Sequence, residues 1–248
     1  SMFEDHENIT RLHLGDKEII LIGTAHVSRS SAELVKEVIE AERPDAVCVE
    51  LDAQRYQTIT EGSKWQEQDI FKIIKEKKAT LLLINLVLAS FQKRLAKQFG
   101  INAGQEMLQG IASAKEIGAK LVLADRDIQT TFARIWHNVG FWGKVRLIAE
   151  IIYGIFNNET ITEEEMEKMK TQDTLNAVLN DLASSFPQLK ATLVDERDQY
   201  LAQKIKEAPG QKVVAVLGAA HVPGVKEEIY KEHDLEALTQ TPATSRIY

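Results

Sequence analysis

A chain of 248 residues that is 44% hydrophobic and 27% charged has the ordinary composition of a globular protein and enough length to bury a sizeable core. Its formal net charge of -7 excludes binding driven by phosphate neutralisation, because no basic excess is present to release counterions, so no nucleic-acid partner is expected. The single cysteine, Cys48, cannot close an internal disulfide and lies in the apolar run 46-AVCVEL-51, which makes it a small core residue of a protein kept in a reducing compartment.

No basic segment followed by an apolar stretch opens the chain, so no signal peptide is expected. Arg11 to Leu14, the pair Gly15-Asp16, and Glu18 to Ile22 predict an N-terminal hairpin. After His26 the period changes. Ser28, Ser30 and Ser31 offer N-caps, and Leu34, Val35, Val38 and Ile39 recur at helical spacing as far as Pro44. Ala46 to Leu51 is then a short apolar strand, so strand, helix and strand form a βαβ unit with parallel pairing. Helices are expected from Gln66 to Gly118. They include the apolar run Leu81 to Phe91, which is shorter than the ~18 to 20 residues of a membrane span. A strand at Lys120 to Ala124 leads into 125-DRDIQTT-131, and a last strand leads into 217-LGAAHVPGV-225.

Between about 128 and 209 no strand-like run occurs, which predicts a large helical insertion. It contains an aromatic stripe (Trp136, Phe141, Trp142, Tyr153, Phe156) suited to a core or a homodimer interface, and a Thr162 to Glu165 capping box. The expected fold class is therefore α/β: a single domain over residues 1–248, built on a mixed, mainly parallel sheet with flanking helices, the N-terminal hairpin and the insertion.

In such a sheet, ligands bind outside the carboxyl ends of the strands. Four predicted strands end in groups of catalytic type: Ile22 leads to His26, Val49 to Glu50 and Asp52, Ala124 to Asp125 and Arg126, and Leu217 to His221. Gly23 and Gly218 are expected to turn the chain with φ values closed to other residues, and the alanines before each histidine to leave room for a ligand. Two imidazoles with carboxylates such as Glu50 suit a divalent transition metal. They equally suit metal-free work, with one histidine as general base and a carboxylate fixing its tautomer. A salt bridge to Arg55 is the structural alternative for Glu50. For Glu106 it is a helix N-terminal charge, and 195-DERD-198 reads as a solvated charge run. His6, His13, His137 and His233 have no repeated context and read as surface or structural residues. Phosphate loops of the Gly-Lys-Ser/Thr type, the Gly-x-Gly-x-x-Gly fingerprint and the Gly-x-Ser-x-Gly elbow are all absent from the sequence.

The stretch 22-IGTAHVSRSSAELVKEVIEAERPDAVCVELDAQRY-56, with 103-AGQEM-107, 124-ADRDIQTTFAR-134, 194-VDERDQY-200 and 217-LGAAHVPGV-225, closely resembles the TraB/PrgY family, related to the Tiki proteins and more distantly to erythromycin esterase. Tiki proteins are membrane-tethered, metal-dependent proteases that trim a signalling peptide, and PrgY is linked to suppression of a peptide pheromone. The resemblance therefore implies a metallohydrolase, a peptidase acting on a signalling or pheromone-type peptide, holding Mn, Co or Zn. Matched motif by motif, His26 and His221 are the paired Gly-x-x-His histidines, and Glu50 and Glu106 the glutamates that join them on the metal or serve as general base. Arg55, Arg126, Glu196 and Arg197 fall in the other recurring motifs, with Arg126 or Arg197 stabilising an oxyanion or holding a substrate carboxylate. Bacterial members carry transmembrane helices after the α/β domain, which implies a membrane anchor beyond Tyr248 and a domain on the cytoplasmic side. Two alternatives stand beside the peptidase: a peptide-sequestering protein without turnover, and a metal-independent esterase of the histidine-base type.

Overall fold

The computed structural model describes residues 6–24, 29–61, 105–138, 140–146, 149 and 191–241. His26, the run 81–91, the capping box at 162–165 and the aromatic residues 153 and 156 lie outside the described residues. Five strands form one sheet: β1 (Ile9–Leu14), β2 (Lys17–Thr24), β3 (Ala46–Val49), β4 (Lys120–Leu123) and β5 (Lys212–Gly218), in the order β1-β2-β5-β3-β4. The fold is α/β, with a sheet that is parallel except at one edge. There β1 runs antiparallel to β2, and Leu14 pairs with Lys17 across a turn that Gly15 makes at φ 61°.

The runs Ile19 to Ile22 and Val213 to Leu217 are wholly buried rather than alternating, because helices cover both faces of the sheet. On one side lie α1 (Arg29–Glu42) and α3 (Gln105–Ile117), whose Val35, Val38, Ile39, Met107 and Ala114 pack with Ile20, Ile22, Val47, Val49, Val214 and Val216. On the other lie α5 (Glu196–Glu207) and α6 (Val222–Glu228). Leu201, Ala202, Ile205 and Val225 there meet Ile19, Leu21, Cys48, Val213, Ala215 and Leu217. Each of these large aliphatic side chains contributes about 1.5–3 kcal/mol by leaving water. Further helices include α2 (Ala53–Glu61), α4 (Ile128–Asn138) and α7 (Leu235–Thr239). Cys48 is fully buried, and its thiol is pushed up to about 12 by that burial, which makes it inert as a nucleophile.

Of the segment read as an insertion, α5 is a packing layer of the sheet itself, and residues 147, 148 and 150–190 lie outside the described part. Phe141 and Trp142 sit edge to face, with ring centroids 5.5 Å apart, and both are exposed. No described helix is long and apolar enough to cross a membrane.

Candidate functional site

Parallel pairing brings the carboxyl ends of β2, β5, β3 and β4 to one edge of the sheet. Thr24 lies opposite Gly218, Val49 opposite Val216 and Leu123, and the chain after β4 continues the ladder from the Ala124 N–H to the Val49 carbonyl at 2.9 Å. Glu50, the first residue past β3, stays on that ladder through its N–H to the Val216 carbonyl at 3.2 Å. Its carboxylate is buried and accepts the Gly218 N–H at 3.3 Å.

β5 passes into a short 3-10 turn, Ala219–His221, which carries the imidazole back over the sheet edge. His221 Nε2 lies 3.5 Å from Glu50 Oε1, and Nδ1 lies 2.7 Å from Asp198 Oδ1. Each ring nitrogen thus faces a carboxylate supplied by a different element. Burial opposes the charged imidazole, but the Glu50 charge and the Asp198 hydrogen bond outweigh it and raise His221 above its ordinary value. Burial also pushes the Asp198 carboxyl up, against the hydrogen bond and charge of His221.

Asp198 was hidden in a run that reads as solvated charge. The signal that exposes it is spacing: Asp198, Leu201, Ala202 and Ile205 stand at i, i+3, i+4 and i+7, so the carboxylate lies on the buried face of α5. A carboxylate there must have a partner.

The motif glycines act by closeness rather than by turning. Gly218 has φ -60°, open to any residue, and Gly23 is not among the glycines with positive φ. A side chain at Gly23 would instead press on Val222 Cγ2 at 3.1 Å and on Ala219 Cα at 3.4 Å, so the strand end of the first motif rests on the turn of the second. Gly224 does the same for Asp198, because a Cβ there would fall 2.0 Å from Asp198 Oδ2. Gly224→Ala is therefore expected to push Asp198 off His221. It should lower the imidazole's titration midpoint in histidine NMR while leaving the far-ultraviolet spectrum of the fold intact.

Beside this pair, Asp125 is buried between two arginines. Arg197 reaches it through Nη2 at 2.8 Å and Nε at 3.3 Å, and Arg55 through Nη2 to the same Oδ2. Burial alone would raise the Asp125 carboxyl, but Arg197 and Arg55 outweigh it and hold it well below the carboxylate range. Arg55 also lies 3.6 Å from Asp52, whose Oδ1 accepts the Arg55 N–H at 2.7 Å and caps α2. Arg55 thus pairs with Asp52 and Asp125 rather than with Glu50.

Arg126 is buried and donates to Thr131 Oγ1 at 2.9 Å, Glu196 Oε1 at 2.8 Å and the Leu238 carbonyl at 3.1 Å. Arg134 shares Glu196 at 2.6 Å and takes the Ala237 and Gln240 carbonyls at 3.1 and 2.7 Å. These two guanidinium groups fasten the carboxyl end of α7, where cations are favoured. Burial lowers Arg126, and Glu196 counters that. Glu196, Arg197 and Asp198 therefore reach three separate clusters from one helix start.

Among the residues singled out from sequence, Glu50, His221, Arg55 and Arg197 converge at this edge. Arg126 and Glu196 sit behind it, joined to α7. Glu106 is fully buried in the first turn of α3, on the other side of the sheet from α5. Among the described residues, no group of three His, Cys, Asp or Glu side chains is placed to hold a metal ion. His221 Nε2 facing a carboxylate, with its Nδ1 held by another, is nevertheless the donor arrangement that suits one.

The sequence profile of the TraB/PrgY/gumN family matches residues 8–234, which takes in both histidine motifs, all five strands and the helices up to α6. The chain belongs to this family. An uncharacterised protein of Methanocaldococcus jannaschii is 32% identical over 217 residues, covering 86% of this chain and 54% of its own length. The human TraB domain-containing protein is 26% identical over 265 residues, covering 96% of this chain and 69% of its own. The bovine TraB domain-containing protein is 25% identical over 254 residues, covering 92% and 66%. The chain spans about half of the archaeal relative, and within the TraB/PrgY/gumN family the shared region includes the whole sheet.

Proposed function

We propose that this chain is a hydrolase, a metal-dependent peptidase whose working groups are His221, Glu50 and Asp198. The observation that supports it most is the imidazole held between two carboxylates at the carboxyl edge of a parallel sheet. In this reading His26, His221 and Glu106 would hold a divalent Mn, Co or Zn ion, with Glu50 off the ion as the base. The ion would supply Lewis acidity at a carbonyl and a more acidic water. The chain's own residues would do the rest. Asp198 accepts the Nδ1–H and fixes the tautomer, so that Nε2 faces the reaction. Gly218 holds Glu50 through its N–H, and Glu50 takes a proton from water as the oxygen adds to the carbonyl carbon. The C–N bond breaks and the proton is delivered to the leaving amine.

A second reading, metal-independent hydrolysis, is favoured by one observation. Both ring nitrogens already have carboxylate partners, and the Glu50 charge and the Asp198 hydrogen bond raise the imidazole, which strengthens it as the base that such a reaction requires. Peptide incubated with the protein, with added Mn and with EDTA, separates the two. Cleavage lost in EDTA and restored by Mn supports the metal reading, and cleavage indifferent to EDTA supports the second. Glu50→Gln is expected to reduce cleavage about 10²- to 10⁴-fold in either case. Saturable binding with the peptide recovered intact, and unaffected by Glu50→Gln, would show a sequestering protein instead.

A further inference from the structure

We propose that Arg55 and Arg197 form a subsite for the terminal carboxylate of a peptide, so that the substrates are peptides cleaved at their C-terminal residue. This rests on the hydrolase reading above and adds the class of substrate to it.

The two guanidinium heads meet on one oxygen, Asp125 Oδ2, and are therefore neighbours. Asp125 itself is 1% exposed, while the arginine side chains remain 27% and 21% exposed. Asp125 acts as a buried peg that holds two solvent-reaching cations in fixed positions, so little side-chain entropy is left to lose when an anion arrives. Arg197 spends Nε and Nη2 on Asp125, and Arg55 spends Nη2 on it. Among the described residues, neither Nη1 makes a hydrogen bond, which leaves at least the two Nη1 N–H donors on each head for a planar, two-oxygen ligand.

Charge narrows the ligand further. Glu50, Asp52 and Asp198 surround the arginines and the whole chain carries -7, so a single carboxylate is accepted where a phosphate dianion or a polyanion is repelled. Arg197 directly precedes Asp198, which holds His221 Nδ1 at 2.7 Å, and the Asp125 it grips donates its N–H to the carbonyl of Leu51, the residue after Glu50, at 3.3 Å, so the arginines stand beside the Glu50 and His221 pair. The last peptide bond of a chain lies within about 3.8 Å, one residue step, of its terminal carboxylate. An anchored carboxylate thus presents that bond to the pair. Water adds to its carbonyl carbon, the C–N bond breaks, and the released amino acid leaves with the proton on its amine.

The test uses N-terminally fluorescein-labelled heptapeptides of randomised sequence, made as free acids and as C-terminal amides. Anisotropy titrations use Glu50→Gln protein, so that turnover does not blur binding. The acids are expected to bind about tenfold more tightly than the amides, and the preference to collapse in Glu50→Gln/Arg55→Gln, whose unfolding midpoint confirms that it folds. Should that variant not fold, Arg55→Lys keeps a charge on Asp125 but loses the fork, and the preference should still fall. Equal binding of acid and amide, binding of neither, or a preference untouched by either substitution overturns the subsite. Cleavage products of wild-type protein with Mn address the parent reading separately. Acid-selective binding without cleavage defeats the hydrolase and leaves the subsite, whereas internal cleavage of acids and amides alike defeats the subsite and leaves the hydrolase.

Discussion

Asp125→Asn is expected to destabilise the protein by about 3 kcal/mol at neutral pH, measured as the loss in denaturant unfolding free energy. The amide fills the same space but removes the charge that two arginines share. Arg197 is then left partly buried without its bidentate partner, and removing one side of a buried pair costs far more than the pair contributes to stability. The pH dependence identifies the cause. Because the folded carboxyl titrates well below its ordinary value, its contribution is present above about pH 4 and fades as pH falls through the depressed value. The gap between wild type and variant should therefore hold steady at pH 5 and above and narrow at lower pH. A gap that ignores acid would mean that Asp125 acts through packing alone.

Asp198→Asn is expected to reduce hydrolysis about 10²- to 10⁴-fold while changing the size of residue 198 hardly at all. An amide can present its NH2 to Nδ1 and so select the tautomer that turns Nε2–H toward Glu50. Its second signature is in titration. The raised imidazole contributes stability fully below about pH 6.5 and loses it as pH rises through the raised value. In Asp198→Asn the His221 midpoint should move down, because one of the two carboxylates favouring the charged form is gone. The stability lost between neutral and alkaline pH should shrink with it. An unchanged NMR midpoint for His221 would refute the part given to Asp198.

The strands were legible because Ile19 to Ile22, Ala46 to Val49 and Val213 to Leu217 are unbroken apolar runs, the pattern of a sheet covered on both faces. Their parallel pairing followed from the strand, helix, strand order, and the placing of polar groups at the carboxyl ends followed from that. The position of β5 between β2 and β3 was not legible, since pairing order depends on contacts far apart in the chain. It is this central insertion that puts His221 within reach of Glu50. Asp198 escaped because three adjacent charges look alike until the helix phase set by Leu201, Ala202 and Ile205 is applied to them. The glycines escaped for a different reason. What Gly23 and Gly224 permit is the approach of a residue distant in sequence, and no local pattern announces that.

The consecutive residues Glu196, Arg197 and Asp198 make the start of α5 a single dial. Each residue step turns a helix by about 100°. One residue inserted between the buried stripe of α5 and this triplet would swing all three side chains to new bearings together, releasing Arg126 and Arg134, Asp125, and His221 in one event. Length at this point is thus held more tightly than identity. A conservative exchange at one position perturbs one cluster, while a single-residue insertion or deletion before Leu201 disconnects them all.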